Sequence, residues 1–499
     1  MKVKILVWID SSLTHFGISK SLKENFDCEI FAIIDTNQGR EFFEKQEFIE
    51  FSKVWYFRDY FLDLQKNIDQ NFLQEFEDKY RINLWEMALG DEILSKYNSF
   101  HKFTDNEILK IFESECKFFE KVLDEVKPDF LLIRITDTSN IQILHRLCIA
   151  RGIKPLMLCP TRLGNRFLIS EDLDKLDDVK YNNKYALQNK ITTFEELRNF
   201  IHEHSTAHGE FLKKYRTSKK KLFLAAIEYL KLTFDKKYQQ YYQNRSRTAI
   251  HGIIIGINFL LKRKYRHIFI NKNFFKQLIN KEPFVYFPLQ LEPERSLQVT
   301  APFYSDQIEV IRNIAKSLPI DYKLCIKEHP AQEMQGWHSI PYYKEILEMP
   351  NVEMYHPSVS NEEMIKKCSL VITISGTAGL EGVIFQKPVI TFADTNYSEI
   401  LSIHRIKNLE ELPSTIQLML QTKPELNDLK NYLTKIEANS FDFKIRELSI
   451  DTCNSFYYDG FLFDTKIPIS KMKEFLVKNN KIYEKLAIEH IKKIKERDN

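Results

Sequence analysis

The sequence predicts an α/β protein built on two separate parallel sheets, and three observations lead there. At 499 residues the chain exceeds the roughly 250–300 residues at which single hydrophobic cores stop growing, so two or more domains are expected. Short β-branched or apolar runs alternate with helical sequence through the first 170 residues, and the same rhythm resumes after Pro283, which is the pattern of doubly wound sheets. Between them strand signals stop and charged helical sequence takes over. The expected divisions are therefore 1–170, 171–280, 281–440 and 441–499.

In the first division, "VKILVWI" (Val3 to Ile9), "CEIFAII" (Cys28 to Ile34), "DFLLIRI" (Asp129 to Ile135) and "KPLMLC" (Lys154 to Cys159) read as strands. The stretch from Lys66 to Val126 has apolar residues at three- and four-residue spacing and is expected to be a helical lid or insertion. In the third division the strands are "FVYFPL" (Phe284 to Leu289), "YKLCIK" (Tyr322 to Lys327), "VEMY" (Val352 to Tyr355), "LVITI" (Leu370 to Ile374) and "KPVITF" (Lys387 to Phe392). Pro388 suits the first position of a strand. Asp306 to Leu318 and Asn361 to Cys368 read as helices, and the chain after Pro424 is mostly helical.

Composition narrows the class. With 43% hydrophobic and 28% charged residues the chain is globular, not disordered. A formal charge of +3 lends no support to a nucleic-acid partner, and none is expected. Seven scattered cysteines without a CxxC pair read as reduced thiols in a cytoplasmic protein, neither a disulfide framework nor a zinc site. "MKVKILVWID" turns polar at Asp10 and reads as a first strand, so no secretory signal is expected. No apolar run approaches the ~20 residues of a spanning helix.

Charge is uneven, however. Lys213 to Arg266 contains fifteen Lys or Arg against only Glu228 and Asp235, interleaved with Tyr238, Tyr241 and Tyr242. Segment 211–267 is either a basic amphipathic arm for an anionic membrane surface or lipid-linked acceptor, or a solvated helical hairpin.

Three polar signatures follow strands of the third division, at the carboxyl edge where open α/β sheets bind ligands. In "VITISGTAGLEG", Ser375, Gly376 and Thr377 separate a strand from a helix, which makes either a phosphate cradle or an ordinary helix cap. Glu381 lies four residues past Thr377, placed to bond a ribose diol. In "IKEHP", Pro330 keeps His329 at the strand edge, where it can donate to a phosphate oxygen, and Lys327 shares its face. In "YFPLQLEPE", Gln290, Glu292 and Glu294 can read a base edge or sugar hydroxyl, or cap the next helix.

The ordered run "YFPLQLEPERS…APFYSDQ…IAKSLP…KEHP…YYKEI…PNV…VITISGTAGLEG…KPVITF" resembles the capsule polysaccharide biosynthesis family, whose relatives include bacterial capsule β-Kdo transferases. The resemblance is carried by the C-terminal third. It implies a GT-B glycosyltransferase with two Rossmann-like domains facing a cleft, 1–170 for acceptor and catalysis and 281–440 for the nucleotide-sugar donor. Residues 171–280 are then a basic helical insertion and 441–499 a helical extension. His329, Pro330, Ser375 and Thr377 fall on the family's donor-nucleotide positions, and Gln290, Pro293 and Glu294 on its Gln and Pro-Glu.

The resemblance also implies no bound metal and no cofactor beyond the nucleotide sugar, with a CMP-linked acidic sugar such as Kdo favoured. A catalytic carboxylate is expected at a strand edge of the N-terminal domain. Asp137 in "IRITDTSN" is first choice as general base or nucleophile and Asp10 in "WIDSS" second, with helix capping the alternative for each. Arg162 and Arg166 in "CPTRLGNRF" are candidates for an acidic sugar or diphosphate, or for surface salt bridges. The expected partners are the donor, a glycan or glycolipid acceptor and an anionic membrane surface, with a peripheral location on its inner face. Two rivals remain: a CDP-glycerol-type polyol-phosphate transferase, and a non-catalytic capsule assembly factor.

Overall fold

The computed structural model describes residues 2–61, 67–177, 192–204, 218–278 and 282–496. The first sheet contains β1 (Val3–Asp10), β2 (Cys28–Asp35), β3 (Lys53–Tyr56), β4 (Phe130–Ile133), β5 (Lys154–Pro160) and β6 (Arg166–Ser170). The second contains β7 (Phe284–Pro288), β8 (Lys323–Lys327), β9 (Val352–Tyr355), β10 (Leu370–Thr373), β11 (Val389–Thr391) and β12 (Ile403–Arg405). A last short strand, β13 (Phe441–Asp442), returns to the first sheet beside β6.

Both sheets share one topology. Their orders, β3-β2-β1-β4-β5-β6-β13 and β9-β8-β7-β10-β11-β12, follow the doubly wound 3-2-1-4-5-6 sequence, with strand order reversing between β1 and β4 and between β7 and β10. All pairings are parallel except β5 with β6 and β6 with β13. These are the two Rossmann-like domains of a GT-B architecture.

The central strands read as unbroken apolar runs because both faces are covered. In β1, Ile5, Val7 and Ile9 join one buried cluster while Leu6 and Trp8 join the other, the two-residue alternation of a pleated strand. Helix 105–126 lies on the Trp8 face through Phe112, Phe119 and Val122. It is the crossover from β3 to β4. The helical content expected for Lys66–Val126 is present as helices 70–80, 84–90 and 105–126, but the longest packs as part of the sheet's cover, not as a lid.

The opposite face of the first sheet is covered from far along the sequence. Helices 445–456, 469–478 and 480–495 contribute Leu448, Phe456, Met472, Phe475 and Leu486 to the cluster holding Ile5 and Val7. Helix 480–495 crosses helix 14–25 so closely that a Cβ on Gly17 would meet the Tyr483 ring at 2.2 Å. A continuous apolar cluster runs from the first domain through Leu163, Tyr397 and Leu433 into the second.

Between the sheets, described helices occupy 194–204, 219–233, 236–240 and 249–273. Residues 211–217 of the basic segment lie outside the described residues. No helix among the described residues is long and apolar enough to cross a membrane.

Candidate functional site

The carboxyl ends of both sheets open onto one interdomain cleft of about 690 Å³. Ile135, Pro160 and Arg162 line it from the first domain, just beyond β4 and β5. From the second come Gln290, Glu294, Lys327, His329, Pro330, Ser375, Gly376 and Thr377, beyond β7, β8 and β10. The cleft therefore lies at the β7/β10 switch point, where doubly wound sheets leave a crevice.

The turn after β10 is organised by Gln290. Oriented by its hydrogen bonds, the side-chain oxygen of Gln290 accepts from the amides of Ser375 (2.6 Å), Gly376 (3.1 Å) and Ile374 (3.2 Å), and its NH2 donates to Ser375 Oγ at 3.2 Å. The amides expected to cradle a phosphate are thus already taken, through Gly376. Gly376 approaches so closely that a Cβ would sit 2.8 Å from Thr373 Oγ1. The Ser375 hydroxyl is bonded to the Ser296 carbonyl. Thr377 is exposed at the cleft.

Free donors come instead from the last residue of β8 and the segment after it. Ala331 N–H donates to His329 Nδ1 at 3.2 Å, so the ring proton of the neutral imidazole resides on Nε2. Burial pulls His329 below its ordinary 6.5, against the opposing charges of Glu294 and Glu328. Lys327 is 6% exposed, and burial lowers its pKa although Glu381 and Glu328 lie near. Its ammonium makes no hydrogen bond or ion pair among the described residues. Glu381 accepts from Asn361 Nδ2 at 2.7 Å, Asn361 accepts from the Tyr286 hydroxyl, and burial raises the Glu381 pKa.

A separate polar network fixes this segment from behind. Glu328 is fully buried; it accepts from His329 N–H at 2.6 Å, from the Tyr343 hydroxyl, and pairs with His338 Nδ1 at 3.0 Å. Burial disfavours a charged His338, but Glu328 and Glu292 hold its pKa up at about 9. Glu292, bonded also by Tyr97, is held down at about 2 despite burial. Glu292 therefore has a structural setting, and Glu294 remains at the cleft, accepting from Ser296 Oγ at 2.7 Å.

At the β1/β4 switch point of the first domain, behind Ile135 and outside the residues that line the cleft, Arg134 lies between two carboxylates, 2.9 Å from Asp137 and 3.4 Å from Asp10. Burial raises the Asp137 pKa, Arg134 opposing and Asp10 adding to it. Asp10 is lowered in spite of burial, by Arg134 and by Ser12. Asp10 accepts from Ser12 N–H at 2.9 Å, a turn contact and not the helix cap that was its alternative, because the N-cap of helix 14–25 is Leu13 and no side chain caps it. Asp137 makes no such cap.

The two arginines expected to meet substrate part company. Arg162, in the left-handed region at φ 63°, reaches over the cleft to donate to the Ser375 carbonyl at 2.8 Å and lies over the Tyr397 ring. Arg166 is absent from the cleft wall. Its guanidinium is held by the Glu437 and Ser440 carbonyls and Ser440 Oγ, which fastens β6 to the chain returning as β13.

Two groups escaped the sequence reading. Arg134 and Arg295 both stood inside quoted motifs, and an arginine beside a strand end was the available signal. Arg295 crosses the cleft in the opposite sense from Arg162, bonding Thr136 Oγ1 (3.0 Å) and Asp174 Oδ2 (2.9 Å). Asp174 ends an Asp-x-Asp triplet, Asp172–Leu173–Asp174, also passed over. In the structure its carboxylate is engaged by Arg295 and Thr300.

A family model described as capsule polysaccharide biosynthesis protein matches residues 185–452, more than half of the chain. Protein FixF of Sinorhizobium fredii (strain NBRC 101917 / NGR234) is 27% identical over 118 residues, covering 23% of this chain and 27% of that protein. The chain thus aligns with about a quarter of that curated relative's length. Among solved structures, Thermosulfurimonas dismutans KpsC, beta Kdo 2,7 transferase, is 13% identical, covering 68% of this chain and 89% of that one at TM-score 0.31. UDP-GlcNAc 2-epimerase from Methanocaldococcus jannaschii is 14% identical, covering 88% and 99% at TM-score 0.23.

Proposed function

The chain belongs to the capsule polysaccharide biosynthesis family, and from that premise we propose that it is a glycosyltransferase taking a sugar from a nucleotide donor to a glycan or glycolipid acceptor. The observation that carries the reading is Lys327. A lysine only 6% exposed whose ammonium has neither hydrogen bond nor ion pair among the described residues is costly, and this one opens beside His329 onto a cleft at a switch point. An anionic leaving group supplies the missing partner.

Donor phosphate oxygens would be met by Lys327 Nζ, the His329 Nε2–H, the Thr377 hydroxyl and the spare nitrogens of Arg162. Such fixed donors stabilise charge that develops on the leaving phosphate. Glu381 and Asn361 would bond the ribose, with Gln290 and Pro330 shaping the wall. A CMP-linked acidic sugar such as Kdo is the favoured donor, because a planar carboxylate suits the guanidinium of Arg162. Asp137 is the proposed base or nucleophile: burial lifts its pKa, and Asp10 shares Arg134 with it. The acceptor is proposed to be lipid-linked and reached at the inner face of the cell membrane.

A thermal-shift panel of CMP, CDP, UDP, UMP and GDP tests this, since a ligand that binds only the native state raises its stability. Selective stabilisation by CMP that His329→Ala and Lys327→Ala abolish is the expected result. Stabilisation by CDP alone favours polyol-phosphate transfer, and no response to any nucleotide overturns the transferase reading in favour of an assembly factor.

A further inference from the structure

Helix 249–273 is apolar on two sides. Ile255, Phe259 and Ile270 turn toward the protein at four-residue and longer steps, half-buried or buried. The other side carries Ile253 at 60% exposure, Ile257 at 54% and Leu261 at 62%, again one turn apart. A surface helix should be polar on its outer face; one that is apolar all round lies in a core or against lipid. Helix 219–233 beside it repeats the arrangement. Ala225 and Leu232 are buried, whereas Phe223 is 66% exposed, and Phe234, just past its end, 83%. The helices touch where Tyr229 meets Gly252, so the two stripes belong to neighbouring elements.

We propose that these outer faces form an in-plane docking surface for an anionic lipid bilayer. Neither helix is long and apolar enough to cross a membrane, so they would lie along it with their apolar stripes among the acyl chains. The surrounding charge identifies the occupant. Lys219, Lys220, Lys262 and Lys264 are exposed and make no ion pair among the described residues, and the only acids from Lys213 to Arg266 are Glu228 and Asp235. A second copy of the chain seated symmetrically here would set cation against cation. Anionic headgroups complement the same rim and add to apolar insertion. Other basic residues of the segment are committed to the protein: Arg245 pairs with Glu107 and Arg263 with Glu333, which holds the apolar faces outward. The inference rests on the proposed lipid-linked acceptor for its purpose, since docking brings the cleft to a substrate confined to the membrane.

The full chain is sedimented with phosphatidylcholine vesicles with and without phosphatidylglycerol, alongside Ile257→Glu/Leu261→Glu and Lys262→Ala/Lys264→Ala. Both pairs are exposed, and melting temperature and the CMP-induced shift report that each variant is folded. The expected result is binding to the anionic vesicles that the double glutamate weakens about tenfold or more, and the lysine pair less, with salt weakening it further. Absence of binding, or binding that the glutamates leave unchanged, overturns the surface. So does a lipid-free dimer that the glutamates split while vesicles go unbound. Vesicle binding by a chain that answers to no nucleotide leaves the surface standing and removes the transferase reading.

Discussion

Arg162 of the first domain donates to the carbonyl of Ser375 in the second at 2.8 Å, while Arg295 of the second reaches Thr136 and Asp174 of the first. The two guanidiniums cross in opposite directions and frame the cleft. Arg162 has nitrogens to spare for a ligand, and Arg295 is saturated by protein oxygens.

Arg162→Ala should therefore lower transfer at least about tenfold, the loss of one charge-assisted contact, with little change in melting temperature. Arg166→Ala should do the reverse, destabilising the fold through the lost Glu437 and Ser440 contacts. Steady-state rates and melting curves on both variants check the pair. Equal loss of activity without destabilisation in Arg166→Ala would return that residue to the substrate.

His329 is a donor through Nε2, so His329→Gln should keep part of the nucleotide affinity that His329→Ala loses. Lys327→Met, matched in length but uncharged, should weaken binding about as much as the alanine. Calorimetric titration with the stabilising nucleotide measures all three. A full-affinity Lys327→Met would mean that the ammonium faces no phosphate.

Stability should fall on the alkaline side through His338. Its folded pKa is raised from 6.5 to about 9, so its contribution is complete below 6.5 and is lost as pH climbs through about 9. That rise corresponds to about 3 kcal/mol at most. Denaturant melts from pH 6 to 9.5 should show the decline, and His338→Gln should flatten it.

Gln290→Ala would take the side-chain acceptor from the Ile374 and Ser375 amides, while the Gly376 amide keeps Thr373 Oγ1, a cost of about 1–3 kcal/mol. Gly376→Ala would press against Thr373 Oγ1 and shift the same turn. Both should lose nucleotide response faster than they lose stability. Melting curves with and without nucleotide distinguish the two effects.

The parallel strands at the centre of each sheet were readable because they are buried on both faces and appear as apolar runs. Strands β3, β6, β12 and β13, at or next to a sheet edge, were not read, being two to five residues long and exposed on one side or paired antiparallel. Lys327, His329, Gln290 and Ser375 could be brought to one crevice from strand ends alone. That Gln290 would occupy the amides of the Ser375 turn could not, because it depends on a contact across 85 positions. Likewise nothing local distinguishes Arg162 from Arg166, four residues apart, until the partners contributed by residues 375 and 437–440 are in place.

The return of the chain to the first sheet has an effect on the order of assembly. During synthesis, the surface formed by Ile5, Val7 and Phe16 must wait through more than 400 residues for Met472, Phe475 and Leu486 to emerge. The second sheet, closed by neighbouring segments, has no such delay. The half made first is the half finished last, and a nascent chain stalled before residue 445 displays an uncovered greasy face, the kind of surface that chaperones bind.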